Sequence, residues 1–140
     1  MLRKIWMVGL AGLSCLLLTL TGCAQGPTQA AVAPEAVTEA FYSWYLAYEG
    51  NPMADKAYQE SEYLDAAMVT KADEIIASFD KGAYDVFLCA QDIPTSIEVG
   101  EAEIASDTAR LTVGTNFGTI IDVTLSRADG AWKISDIVCH

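Results

Sequence analysis

The spacing of apolar residues changes once along this chain, and that change dictates the fold class. From Glu35 to Phe79 they recur at three- and four-residue steps. Val37, Phe41, Trp44 or Tyr45, and Tyr48 form a first stripe, and Leu64, Met68, Ala72, Ile75 and Phe79 a second. Such steps line one side of a helix. The first helix should begin at Pro34, which suits a first turn, with Glu35 and Glu39 where the helix dipole favours negative charge. Gly50 and the turn "GNP" should end it. The second should run from about Ser61 to Phe79 and stop at "DKG", Asp80 to Gly82, with a polar loop or short helix at 51–63 between the two. From Ile97 the period is two. Ile97 and Val99 alternate, and Ala102 and Ile104 continue one position out of step, so a β-bulge is expected at Gly100. Ala109, Leu111 and Val113 mark a second strand, and Ile121, Val123 and Leu125 a third. "RADGAW" carries an Asp-Gly hairpin turn. The last strand holds Trp132, Ile134, Ile137 and Cys139, with a second bulge near Ser135 and Asp136. Two helices followed by a curved four-stranded antiparallel meander is an α+β plan, with the helices packed into the concave face.

The start of the chain has another character. Arg3 and Lys4 precede an uncharged apolar run from Ile5 to Leu20, which has the length of a signal core and is short for a bilayer span. It ends in "LTGC", Leu20 to Cys23, which resembles a bacterial lipobox. The resemblance implies that residues 1–22 are a lipoprotein signal peptide and that Cys23 becomes an acylated N-terminus. More than one acyl chain would hold the protein stably on a membrane. Ala24 at the next position, where an aspartate is absent, implies outer-membrane sorting facing the periplasm in a host with two membranes. "AQGPTQAAVAP", Ala24 to Pro34, reads as a tether reaching about 35 Å when extended. Residues 35–140 remain as one domain.

Export bears on charge and on the cysteines. Removing residues 1–22 from 140 leaves 118, with six basic residues against nineteen acidic, a net charge of −13. Nucleic acid is thereby a poor partner, and attachment to a membrane falls to the lipid on Cys23. Of the four cysteines, Cys15 leaves with the signal and Cys23 carries the lipid. Cys89 and Cys139 remain, an even pair in an oxidising compartment, and a disulfide is their simplest use. Two separate buried thiols are the alternative. A metal site is not expected: the one histidine, His140, follows Cys139 directly, and neighbours on a strand face opposite sides.

Three segments, "FYSWYL" (Phe41 to Leu46), "DVFLCAQDIP" (Asp85 to Pro94) and "GAWKISDIVC" (Gly130 to Cys139), are similar to a family of bacterial envelope lipoproteins of unknown function. The likeness spans the domain in the same order and departs at Val86, where proline is common in the family. It implies a cystatin-like, nuclear-transport-factor-2-like cone of helices wrapped in a curved sheet. That superfold hosts isomerases, dehydratases, scaffolds and binding domains alike, so it supplies no reaction.

The candidate chemistry is sparse. Phe41, Tyr42, Trp44, Tyr45 and Tyr48 suit a core stripe, with Tyr45 and Tyr48 the candidates to face a cavity. Asp92 and Gln91 suit turn-forming bonds to loop backbone, or the mouth of that cavity. Asp122 should face solvent if Ile121 and Val123 face the core. Glu98, Glu101 and Glu103 read as a solvated face. The sequence holds no zinc-ligand spacing, phosphate-binding glycine loop or nucleophile elbow, so no catalytic residue, metal or cofactor is assigned. The expectation is a lipid-anchored envelope protein acting as a non-catalytic binding or accessory module for a protein or small ligand. The alternative is an isomerase- or hydrolase-like enzyme using Asp and Tyr groups in the cone.

Overall fold

A computed structural model describes residues 32–79 and 84–140. The leader, Cys23, nearly all of the tether and the Asp80–Gly82 stop lie outside the described residues.

Helix α1 spans Pro34–Ala47, with proline in its first turn. It stops short of the glycine expected to end it. The chain turns at Tyr48, and Gly50 follows at φ +134°, where a Cβ would lie 2.8 Å from Asp55 Oδ2. A 3-10 turn, Ala57–Glu60, buries Tyr58 completely. Helix α2 spans Ala66–Ala77 and starts later than the stripe from Leu64 predicts. Residues 63–65 are drawn instead to the sheet, where Ile134 donates to the Tyr63 carbonyl and accepts from the Asp65 amide. Asp65 then caps α2, accepting from the Met68 amide at 2.9 Å.

The sheet is antiparallel and has five strands rather than four. They are β1 Ile97–Val99, β2 Glu103–Ala105, β3 Thr108–Thr115, β4 Ile120–Ala128 and β5 Ala131–Cys139. The path runs β1-β3-β4-β5, and β2 also pairs with β3. The expected bulge at Gly100 divides one strand into two. Val99 pairs with Val113 and Glu103 with Arg110, so four steps on the edge oppose three on β3. Gly100 donates to the Thr112 carbonyl at the break, and a Cβ there would meet Thr112 Oγ1 at 3.1 Å. In β5 the extra residue is Ser135, between the pairs Leu125–Ile134 and Thr124–Asp136. The β4–β5 turn is Asp129-Gly130, both at positive φ, as a two-residue hairpin of this hand requires.

One sheet face and both helices enclose the core. Phe41, Tyr42, Tyr58, Met68, Phe87, Leu88, Ile121, Leu125 and Ile134 are almost wholly inaccessible. Phe87 lies at the centre of the aromatic group, within 5.2–5.6 Å of the Phe41, Tyr45 and Tyr58 rings. The interior is thus filled by aromatic side chains. Lys71 of α2 bonds the Ile137 carbonyl and Asp136, closing the outer edge of β5.

Candidate functional site

The segment Asp85–Ala90 folds back on itself. The Asp85 amide donates to the Ala90 carbonyl at 2.7 Å, and the Cys89 amide donates to the Asp85 carbonyl at 2.7 Å. Such a loop leaves amides inside it without partners, and the Asp85 side chain takes them. Its Oδ1 accepts from Phe87 and Leu88 N–H at 2.9 and 3.1 Å. With its backbone held by its own carboxylate, the loop buries Val86, Phe87 and Leu88 against the helices.

Cys89 sits in this loop at φ +53° and bonds to Cys139 at the end of β5, with Cα atoms 5.4 Å apart. The left-handed conformation costs a non-glycine residue about 1–2 kcal/mol. The bridge joins residues 50 apart in sequence and ties the loop to the last strand. The bulge at Ser135 makes this pairing possible, because it puts Ile137 and residue 139 on the same side of the sheet as Trp132 and Ile134.

Helix α1 supplies the rest of the site. Tyr42 is fully buried and donates to the Phe87 carbonyl at 2.9 Å. Tyr45, one turn on, donates to Asp85 Oδ2 at 2.8 Å. Burial, then the neighbouring Asp85 charge, pushes both phenols far above their ordinary range. Burial likewise raises the Asp85 carboxyl above the usual carboxylate range, and outweighs the Tyr45, Phe87 and Leu88 bonds that pull it down. Both groups therefore hold their protons more firmly than in water. Among the described residues no cation contacts Asp85.

A pocket of about 150 Å³ opens beside this pair. Tyr45, Tyr48, Gln91 and Asp92, the four residues expected at a cavity, all line it, together with Asp85, Leu88 and Met53. Gln91 and Asp92 are exposed at the rim and make no side-chain bond to the described residues. The turn-forming carboxylate is Asp85, not Asp92. The signal in the sequence is the position of Asp85 two and three residues ahead of the amides that it binds. Across Tyr48 lies a broader groove of about 740 Å³, walled by Trp44, Tyr48 and Tyr63 on one side and by residues 55–62 on the other. Beneath it Tyr58 donates to Asp73, and this bond with that from Gln59 holds the Asp73 carboxyl below its usual value.

The other candidates fall elsewhere. Asp122 faces outward, as Ile121 and Val123 are buried, and bonds His140 at 2.7 Å. Glu98, Glu101 and Glu103 are exposed. Among the described residues no three His, Cys, Asp or Glu side chains converge as a metal site.

No protein-family model matches the chain, and no characterised protein matches it in sequence. Solved structures do. A chain of the type VI effector–immunity complex Tae3–Tai3 from Ralstonia pickettii superposes with a TM-score of 0.61 at 24% identity, covering 76% of this chain and 96% of that one. The native crystal form of that complex gives 0.60 at 22% identity, with 76% and 94% covered. A protein of unknown function from Bacteroides thetaiotaomicron gives 0.49 at 19% identity over 75% and 85%. The likeness to the Ralstonia chain is one of fold and takes in nearly the whole length of that chain.

Proposed function

We propose that this chain is an exported, lipid-anchored envelope protein that binds another protein and catalyses no reaction, as the neutralising member of an effector–immunity pair. The observation that carries this reading is the domain-length likeness to a chain held in an effector–immunity complex. The filled interior supports it, because a domain whose core is packed with aromatic rings recognises through its surface. The leader ending at Cys23 supports it too, since an anchor keeps the protein where an incoming effector would arrive. The bulged sheet with helices on one face is in keeping with the cystatin-like, nuclear-transport-factor-2-like cone.

The rival reading, acid–base chemistry by Tyr45 and Asp85, has one point in its favour, the proton-retaining pair beside a pocket. The pocket is small for it, about 150 Å³ where ordinary ligand sites start near ~300 Å³. The two groups also bond each other.

The test is purification of the lipidated protein from its own envelope after cross-linking. The expected result is one protein partner in stoichiometric amount. Recovery of the chain alone at every concentration would overturn the reading.

A further inference from the structure

We propose, building on the protein-binding reading above, that the partner docks through a basic segment onto the C-terminal end of α1, with one lysine or arginine side chain entering the pocket beside Asp85 and its neighbours resting in the groove across Tyr48.

Charge is the first support. The two hollows share Tyr48 and together are lined by five carboxylates, Asp55, Glu60, Glu62, Asp85 and Asp92, against one cation, Lys56. The last turn of α1 has no basic residue, so the negative end of the helix dipole adds to the same field. The second support is the kind of surface present. Trp44, Tyr48 and Tyr63 are half-buried in the groove wall, with ring faces for cations and apolar stems. The third is Asp85. It is half-buried and meets only neutral donors among the described residues, and it lines a pocket whose size suits a single side chain. Leu88 and Met53 would flank the aliphatic stem while Asp92 meets the charge at the rim.

The outer sheet face offers the control, because Glu98, Glu101 and Glu103 are also exposed, Arg110 stands opposite Glu103, and no aromatic side chain lines the hollow beside them. The full chain, isolated in neutral detergent, is titrated with a capped hexalysine peptide at physiological salt and then coupled with a zero-length carbodiimide. Adducts are expected on Asp55, Glu60, Glu62 and Asp92. The triple variant Glu60→Gln/Glu62→Gln/Asp92→Asn should bind the peptide about tenfold more weakly, as three partly exposed ion pairs imply. Glu98→Gln/Glu101→Gln/Glu103→Gln, which removes the same charge, should bind nearly as wild type. Equal losses in the two triples, or adducts concentrated on the sheet face, would overturn the proposal. If the first triple still recovers the envelope partner as wild type does, the interface lies elsewhere and the protein-binding reading stands. If wild type recovers no partner, that reading fails and the proposed occupant fails with it.

Discussion

Asp85 does three jobs with one carboxylate: it caps two loop amides, receives the Tyr45 hydroxyl, and lines the pocket. Tyr45→Phe leaves Oδ2 without that donor, and the expected loss is about 1–2 kcal/mol in a denaturant melt. The pH dependence is sharper. The folded protein holds the Asp85 proton more firmly than the unfolded chain does. Its contribution is therefore fully present below the ordinary carboxylate pKa and is lost as pH rises through the raised one. The stability of wild type relative to Asp85→Asn should fall as pH rises from the ordinary carboxylate range through the raised pKa. A difference that grows with pH would show that the hydrogen bonds outweigh burial. Asp85 was legible as a residue but not as the key carboxylate. Its role depends on a phenol 40 positions away, and no spacing reports that contact.

At the scale of elements, the two bulges and the bridge act together. The parity slips at Gly100 and Ser135 were readable because a period of two leaves no freedom to change face without an extra residue. Their consequences were not. Gly100 splits a strand into β1 and β2, so the sheet has five strands where four were expected. Gly100→Ala should cost about 1–3 kcal/mol, since its Cβ would press on the Thr112 hydroxyl and carbonyl. Ser135 brings Cys139 round to Cys89. The mature protein should weigh two hydrogens less than its dithiol under non-reducing conditions. Reduction, or Cys89→Ser/Cys139→Ser, should lower the free energy of unfolding by up to about 4 kcal/mol on the chain-entropy estimate. The late start of α2 has a different cause. Residues 63–65 carry a helical pattern, but the free edge of β5 offers them two strand-type hydrogen bonds. Edge satisfaction overrides the local preference there.

Over the whole molecule, the excess of acidic over basic residues sets the response to salt. At −11 for the full sequence, or −13 if residues 1–22 are removed as proposed, the chain should bind the hexalysine probe more weakly as salt rises, because screening removes long-range attraction between exposed charges first. Cys23→Ser should abolish acylation and leave the protein unprocessed or released from the membrane, as fractionation and intact mass would read. Retention of an acylated, cleaved chain in that variant would overturn the lipobox assignment.

The sequence by itself determined the α+β class, the order of helices and strands, the hairpin turn at Asp129-Gly130, the places where the sheet must slip, and, by counting cysteines, the pair Cys89 and Cys139. All but the last rest on periodicity and turn chemistry, which act between near neighbours. Only the tertiary structure decided that Asp85 is the loop's carboxylate, that Tyr42 and Tyr45 fasten the loop to α1, and that β5 captures residues 63–65. Each of those joins groups tens of residues apart, and their meeting follows from packing one closed core, which no local pattern encodes.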